Sequence, residues 1–317
     1  MAVSILGCVA HAVNLPGGYL VAMDGKLAGM SAGEDRNSSL APGPALYVVA
    51  TPIGNLEDIS YRAVRVLKEV ELIACEDTRQ THKLLSHYGI STRTVSYHEH
   101  NEAERAAELQ AEFERGSRIA LVTDAGMPGI SDPGYRLISV AIGQGVPVIP
   151  IPGAAAFLSA LVASGLPTDS FRFHGFLPAK TGQRRQHLEE IRDSQVTEVF
   201  YEAPHRIREA LEDVAQILGP DRHVVIGREL TKLHEEFLRG RVKEVLAILS
   251  ARGEVKGEIT LLIGKSEGQA PAQVSVRERL DEIMKADGLD EKAALKKLAK
   301  EMGISKSEAY RELQRSK

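Results

Sequence analysis

The stretch VTDAGMPGISDPG, residues 122–134, places three glycines, two prolines and two aspartates directly after an apolar run, residues 119–122. A buried strand followed by such a loop is typical of the carboxyl edge of an open α/β sheet, where ligands bind. Glycine lets the backbone approach a ligand, and proline lowers the entropy cost of ordering the loop. Asp132 and Pro133 also fit the N-cap and first turn of a helix, but this leaves residues 123–129 unexplained. We therefore interpret the stretch as a ligand-binding loop.

The regions around this loop alternate between apolar runs that predict strands and amphipathic spacing that predicts helices. The first set of predicted strands is 46–50, 71–75, 92–98, 118–123 and 146–151, with helices at 58–68, 78–87, 101–115 and 134–142. This alternation predicts a mostly parallel sheet that is covered on both faces.

After a helical stretch rich in small residues at 153–165, the alternation restarts. The second set of predicted strands is 171–176, 197–202, 223–230, 234–240 and 257–264, with helices at 183–193, 205–218 and 241–250. The closely spaced strands near 223–240 predict a hairpin, so the second sheet is expected to be mixed.

The chain of 317 residues is long enough for two cores, and we predict an α/β fold with two α/β domains at 45–165 and 166–267. Residues 1–44, rich in Gly, Ala, Ser and Pro, are interpreted as a disordered tail or an over-long start. The net charge of −4 does not by itself indicate a nucleic-acid binder. Two distant cysteines suit a reducing cytosol, and no apolar run approaches the ~20 residues of a membrane span, so we expect a cytoplasmic protein.

The C-terminal residues 272–317 predict a small helical module. Apolar positions from Ala294 to Met302, a break at Gly303 and a cap at Ser305 outline a helix-turn-helix. From residue 292 onward there are eight Lys or Arg residues and three acidic residues, and this positive excess favours docking on nucleic-acid phosphates over a solvated helix pair or a dimer contact. The candidate RNA-binding residues of this module are Lys296, Lys297, Lys300, Lys306 and Arg311.

Two further glycine- and proline-containing turns follow the first and fifth predicted strands, TPIGN at 51–55 and PIPGAA at 150–155. The dinucleotide motif GxGxxG is absent after the first strand, and so is the P-loop motif GxxxxGK[ST]. Ligand loops without a phosphate motif suit a ligand that carries a sugar and a base but no phosphate chain. S-adenosylmethionine is one such ligand.

Several long segments resemble, in the right order, the successive motifs of a known family. They include VATPIGNLEDIS, ACEDTRQTHKLL, SYHEHNE, LVTDAGMPGISDPGYRL, PIPGAAAFLSALVASGLP and FYEAPHRI. This resemblance, from about residue 45 to 264 and on into the tail, is to the ribosomal RNA small subunit methyltransferase I group of the tetrapyrrole (corrin/porphyrin) methylase superfamily. It implies a homodimeric two-domain methylase with S-adenosylmethionine in the cleft between the domains. It also implies 2'-O-methylation of a cytidine ribose in the decoding region of 16S rRNA.

The resemblance also implies which residues bind the methyl donor. They are Pro52, Gly54, Thr123, Asp124, Ala125, Gly126, Pro128, Ile130, Ser131, Pro152, Gly153, Ala154, Tyr201, Ala203 and Pro204, with Glu258 and Thr260 as weaker candidates.

A ribose hydroxyl is a poor acid, so a general base would assist its methylation. His98, His100 and Asn101 follow a predicted strand and are candidates, as is Asp77 after the preceding strand. The alternatives are that Asn101 and Asp77 cap helices and that the two histidines bind a metal, although a third ligand is not evident.

Basic residues beside the expected cleft suit RNA phosphates. These candidates are Arg79, Lys180, Arg184, Arg185 and Arg206; Arg79 could instead form an ordinary pair with an aspartate. Two other classes remain open: a small-molecule tetrapyrrole methylase of the same fold, and a non-enzymatic nucleic-acid binder built around the C-terminal helices.

Overall fold

A computed structural model describes residues 40–266, 280–281, 283–285, 288–301, 309–311 and 313. Most of the predicted N-terminal tail, residues 1–39, lies outside the described residues. Leu40 and Ala41 pack against the first apolar core, and the Ala41 N–H donates to the Tyr47 hydroxyl oxygen over 2.7 Å. The body of the protein therefore begins a few residues before the predicted boundary at residue 45.

The first sheet is entirely parallel, as the alternation of elements predicts. Its strands are β1 (Ala45–Val49), β2 (Leu72–Cys75), β3 (Thr94–Ser96), β4 (Arg118–Val122) and β5 (Val148–Ile151), in the order β3-β2-β4-β1-β5. A short 3-10 helix spans Leu56–Asp58, and the helices are α1 (Tyr61–Glu69), α2 (Thr78–His87), α3 (Glu102–Glu114) and α4 (Tyr135–Gly143). Two apolar clusters, one containing Leu67 and Ile73 and the other Leu109 and Leu121, cover the sheet.

The second sheet is mixed, and the predicted hairpin is confirmed. Its strands are β6 (Phe171–Phe176), β7 (Thr197–Glu202), β8 (His223–Arg228), β9 (Glu236–Arg241) and β10 (Ile259–Ile263), in the order β6-β7-β10-β8-β9. The helices of this half are α5 (Ala156–Ser164), α6 (Thr181–Glu190), α7 (Ile207–Leu218) and α8 (Val242–Ala251). Strands β8 and β9 pair antiparallel, and β6 pairs parallel with β7.

Helix α5 joins the two sheets and packs on the second one. Its buried residues Ala160 and Leu161 share an apolar cluster with Val199 and Leu262 of the second sheet and with Ile53 of the first domain. The predicted domain boundary at residues 165 and 166 assigns this helix to the first domain, whereas most residues of its apolar cluster belong to the second. Because α5 is apolar on all sides, the sequence pattern does not indicate which sheet the helix packs against.

The C-terminal segment contains helix α9 (Glu291–Glu301) and a core of its own. Ala294, Leu295, Leu298 and Ala299 of α9 are buried together with Leu280, Ile283, Ala309 and Leu313. The Asp290 carboxylate caps the helix by accepting the Ala293 N–H over 2.7 Å. The predicted break at Gly303 and cap at Ser305 lie outside the described residues. Across the residues that are described, no helix is both long and apolar enough to cross a membrane.

Candidate functional site

The three glycine- and proline-containing loops meet at one edge of the first sheet. They follow β4, β1 and β5, which are neighbours with β1 in the centre. Because parallel strands present their carboxyl ends at the same edge, this position is the one expected for a ligand site. A cavity of about 360 Å³ opens there, within the ~300–1,000 Å³ typical of ligand pockets.

The cavity lies between the two domains. The first domain and α5 contribute Ile53, Ala125, Gly126, Met127, Ile130, Ser131, Asp132, Ala155, Ala156 and Phe157. The second domain contributes Phe176, Tyr201, Glu202, Ala203, Pro204, Gly227, Leu230, Gly257, Glu258, Ile259 and Thr260. The predicted cleft between domains is therefore present in the fold.

Hydrogen bonds hold the loop after β4 against the residue that follows β1. Thr51 and Gly126 exchange two backbone hydrogen bonds of 2.9 and 3.1 Å, and the Thr51 hydroxyl donates to the Thr123 carbonyl over 3.0 Å. Gly126 has a φ angle of 84°, which only glycine adopts without strain. The glycine predicted from the sequence thus turns the loop so that residues 125–127 and 130–132 reach the cavity wall.

The structure brings part of the predicted donor site to the cavity wall and leaves part outside it. The predicted residues that line the cavity are Ala125, Gly126, Ile130, Ser131, Tyr201, Ala203, Pro204, Glu258 and Thr260. The predicted residues that do not line it are Pro52, Gly54, Thr123, Asp124, Pro128, Pro152, Gly153 and Ala154.

Gly54, a predicted donor-binding residue, lies where the loop after β1 meets the second domain. A Cβ atom at this position would lie 2.4 Å from Lys232 Cγ and 2.9 Å from the Leu230 carbonyl oxygen. The neighbouring Asn55 N–H donates to the Thr231 hydroxyl over 3.1 Å. The loop after β1 therefore approaches the second domain at this point, and Gly54 allows the two domains to pack.

The charged side chains that line the cavity are all acidic. Asp132, Glu202 and Glu258 contribute to the wall, and no lysine or arginine does so among the described residues. Glu202 Oε1 accepts from the Ala203 N–H and from Arg206, whereas Glu202 Oε2 is buried and accepts no hydrogen bond within the described part of the chain. Glu258 accepts from Lys232 Nζ over 3.0 Å.

Asp132 differs from the other two carboxylates. Burial raises its pKa to about 7, with a further rise from the negative charges of Glu76, Asp124 and Glu99. The interpretation of Asp132 as the N-cap of a helix is wrong, because α4 begins at Tyr135 with Gly134 in the capping position. Sequence reasoning assigned Asp132 to a structural role, and the structure places it on the cavity wall.

The predicted general-base candidates lie at the same edge of the sheet but do not line the cavity. The Asn101 side chain accepts the His98 N–H over 2.9 Å and donates to the Ser96 carbonyl over 3.2 Å, so it orders the loop after β3. The rings of His98 and His100 lie 5.9 Å apart, with His98 half-buried and His100 exposed.

Asp77, the fourth candidate, caps α2 and pairs with Arg79. Its carboxylate accepts the Arg79 N–H over 2.8 Å and the guanidinium group over 2.8 Å. These hydrogen bonds hold the pKa of Asp77 at about 2. The structural alternative for Asp77 and Arg79 is therefore the one found, although the Arg79 side chain remains mostly exposed.

The predicted RNA-binding residues fall into different environments. Arg184 is wrong as a surface contact, because it is fully buried and its guanidinium group donates to Asp213 over 2.7 Å. Arg206 is largely buried against Glu202, whereas Lys180 is exposed and Arg185 is partly exposed and paired with Asp213. In the C-terminal segment Lys296, Lys297 and Arg311 are exposed. The Lys300 side chain and all of Lys306 lie outside the described residues.

Several cavity residues escaped the sequence analysis. Phe157, Leu230 and Ile259 lie in apolar segments that read as ordinary core, and Phe176 ends a predicted strand. Glu202 follows Tyr201 at the end of β7, so a consistent search of strand ends would have found it.

Comparison with known proteins identifies relatives over most of the chain. The Tetrapyrrole (Corrin/Porphyrin) Methylases family matches residues 45–246. A protein of Halalkalibacterium halodurans named ribosomal RNA small subunit methyltransferase I is 51% identical over 272 residues, covering 84% of this chain and 93% of that protein. The protein of the same name from Mesorhizobium japonicum is 46% identical, covering 85% and 91%.

Solved structures share the fold at low sequence identity. Diphthine synthase superposes with a TM-score of 0.55 at 15% identity, covering 70% of this chain and 90% of that one. The methyltransferase CobJ superposes with a TM-score of 0.54 at 18% identity, covering 70% and 95%. These similarities concern the two-domain architecture alone.

Proposed function

Because the chain belongs to the tetrapyrrole (corrin/porphyrin) methylase family, within the ribosomal RNA small subunit methyltransferase I group, we propose that it methylates small-subunit ribosomal RNA with S-adenosylmethionine. The proposed acceptor is the 2'-hydroxyl of a cytidine ribose in the decoding region of 16S rRNA. The proposed working form is a homodimer in the cytoplasm. The identity of the methylated nucleotide and the homodimer rest on the family resemblance alone.

One observation carries the choice of donor: the cavity wall is acidic and, within the described chain, has no cationic side chain. Nucleotides with phosphate chains need cations or a glycine-rich phosphate loop at a helix N-terminus. S-adenosylmethionine has no phosphate and carries a positive sulfonium centre next to the methyl group that it transfers. The side chain of Glu258 complements that charge.

The remaining walls fit the adenosine part of the donor. Ile53, Phe157 and Leu230 provide apolar surface for a base. Glu202 Oε2 is an orphaned buried acceptor, which would accept from a ligand amine or hydroxyl group. Tyr201 and Pro204 line the cavity on the side of the second domain. These residues would hold the donor while the reacting atoms align, and such positioning is the main contribution that a displacement reaction asks of a protein.

An exposed aromatic side chain at the cavity supports a nucleic-acid acceptor. Phe176 lines the cavity, is 56% exposed, and packs its ring against Tyr201 with centroids 5.6 Å apart. Single-stranded RNA is commonly recognised by stacking of splayed bases on aromatic rings. Phe176 would therefore receive a base next to the ribose that is methylated.

The test is to map ribose methylation on 16S rRNA in cells with and without this gene. We expect one 2'-O-methylated cytidine to disappear on deletion and to return when the wild-type chain is expressed. An unchanged methylation map, or the loss of a base methyl group in place of a ribose methyl group, would refute the proposed acceptor.

A further inference from the structure

We propose that Asp132 is the catalytic base that takes the proton from the ribose hydroxyl group. This inference rests on the proposed function, because it needs a hydroxyl acceptor and a methyl donor in the same cavity. It assigns the proton transfer to a residue of the donor loop and not to the histidines, Asn101 or Asp77 near the end of the neighbouring strands.

Among the three carboxylates of the described cavity wall, Asp132 is the uncommitted one. Glu202 is held by Arg206 and the Ala203 N–H, and Glu258 is held by Lys232. In the described part of the chain, Asp132 makes neither a hydrogen bond nor an ion pair. A base needs a lone pair that the protein itself does not occupy. Glu202 Oε2 also lacks a partner, but the Glu202 carboxylate is paired with the cation of Arg206, and Glu258 is paired with Lys232. Asp132 is the one of the three that pairs with no cation in the described chain.

The other candidates for the base form hydrogen bonds with the protein or lie away from the cavity. Both oxygens of Asp77 accept from Arg79, which favours its charged form and weakens it as a base. Both ends of the Asn101 amide are used by the loop backbone, and an amide is not a base. His98 and His100 do not line the cavity.

The backbone around Asp132 holds this residue at the cavity wall. The preceding residue, Ser131, has a φ angle of 62°, a conformation that costs a residue other than glycine on the order of 1 kcal/mol. The following Pro133 is buried. The loop thus bends sharply just before Asp132, and both Ser131 and Asp132 reach the cavity. Strain of this kind is concentrated at functional sites, where it positions a reacting group.

The surroundings of Asp132 set its basicity. Acidic groups face it from the ends of three strands: Glu76 after β2, Glu99 after β3 and Asp124 after β4. The Tyr201 phenol faces it from the second domain, and its own pKa is raised, chiefly by burial and also by the charge of Asp132. Burial and these negative charges raise the pKa of Asp132 to about 7. A base with a pKa near the working pH is the most effective at proton transfer, since it is both unprotonated and basic enough.

The proposed step balances as a single displacement. The ribose oxygen forms a bond to the methyl carbon, and the carbon–sulfur bond breaks with its electron pair moving to sulfur. The hydroxyl proton moves to the Asp132 carboxylate and later to solvent. The donor leaves as the uncharged thioether S-adenosylhomocysteine, and no further reactant is required.

The experiment compares the full-length wild type with Asp132→Asn and, as a matched control, Asp221→Asn. Asp221 is an exposed carboxylate that pairs with Lys243 over 2.6 Å and does not line the cavity. Labelled methyl transfer to small ribosomal subunits from cells that lack this gene is measured between about pH 5.5 and about pH 9, a range that spans the raised pKa. Binding of S-adenosylmethionine and of S-adenosylhomocysteine is measured by calorimetry.

We expect Asp132→Asn to lower kcat by ~100-fold or more, the usual contribution of a general base. Wild-type activity should fall about tenfold per pH unit below pH 7, and the residual activity of the variant should lack this dependence. The wild type and Asp132→Asn should bind S-adenosylhomocysteine with equal affinity. The control should match the wild type throughout.

A second readout shows that the variant folds. A carboxyl group whose pKa is raised by folding destabilises the folded state once it is charged, so wild-type stability should decline as pH rises through about 7. Asp132→Asn should therefore melt at a higher temperature than the wild type at pH 8, and the difference should shrink towards pH 4.

Two results would overturn the assignment and leave the proposed function standing. One is methyl transfer by Asp132→Asn at the wild-type rate. The other is weaker binding of S-adenosylmethionine but not of S-adenosylhomocysteine with an unchanged kcat, which would make Asp132 a counter-charge for the sulfonium. If instead the wild type itself transfers no methyl group to ribose, the proposed function fails first.

Discussion

Two polar segments follow strands of the same parallel sheet and reach the same edge, yet the structure uses them differently. The loop after β4 contributes residues 125–127 and 130–132 to the cavity wall, and the Asp132 carboxylate has no hydrogen-bond or ion-pair partner within the described chain. In the loop after β3, the Asn101 amide accepts the His98 N–H and donates to the Ser96 carbonyl, and the predicted base candidates of this loop do not line the cavity. Residue type therefore indicates which side chains can react, whereas the hydrogen-bond and ion-pair partners of a side chain determine whether it is available for proton transfer.

The largest expected effect is on donor binding and comes from a substitution in the loop after β4. Gly126→Val should reduce affinity for S-adenosylmethionine by more than about 100-fold, because the left-handed φ of 84° excludes a β-branched residue and the added atoms point towards the cavity wall. Calorimetry measures the loss.

The control for this variant is Gly116→Val. Gly116 has a φ angle of 89° but open space around its Cβ position, in a turn away from the cavity. The control should lose a similar amount of stability and keep its donor affinity. Equal loss of affinity in both variants would mean that backbone strain, and not the cavity, explains the result.

The next effect separates donor from acceptor binding at the C-terminus. Deletion of residues 272–317 should leave donor affinity unchanged, because both sheets keep their own apolar clusters. It should weaken binding to 16S rRNA by ~10-fold or more at low salt and flatten the salt dependence, since fewer phosphate contacts release fewer counterions. If the truncated chain binds RNA as well as the full chain at every salt concentration, the module has another purpose.

Variants in the loop after β3 test the other side of the comparison. His100→Ala should lower methyl transfer by about tenfold through lost contacts with RNA, with donor affinity and the pH profile unchanged. Asn101→Ala should also lower the free energy of unfolding by ~1–2 kcal/mol, because it removes two hydrogen bonds that order the loop. Loss of the acidic limb of the pH profile in His100→Ala would move the base to this loop.

The smallest effect is expected where the loop after β1 meets the second domain. Gly54→Ala should lower the free energy of unfolding by ~1–3 kcal/mol through overpacking against Lys232 and Leu230, with a few-fold loss of donor affinity. Addition of Lys232→Ala should restore part of the stability, since one of the close contacts is removed. Gly43→Ala, with nothing near its Cβ position, is the control. The same loss without any rescue would contradict this domain contact.

The strand and helix order could be predicted from the sequence because the periodicity is strong and the connections are short. The parallel first sheet and the β8–β9 hairpin are examples. Helix α5 could not be assigned to a sheet, since it is apolar on all sides. The site was predicted only in part for a related reason. Gly54 and Asp132 have local sequence contexts that suit a ligand loop and a helix cap, whereas contacts between distant segments place Gly54 against the second domain and Asp132 on the cavity wall.

The central claim is that the acidic cavity between the domains holds S-adenosylmethionine, and its most direct test is a binding titration of the purified wild type. Calorimetry with S-adenosylmethionine should give one site per chain, with competition by S-adenosylhomocysteine and none by ATP or NAD, whose phosphates meet carboxylates in the described cavity wall. Absence of heat with either adenosyl compound, or displacement by ATP at similar concentration, would contradict the account.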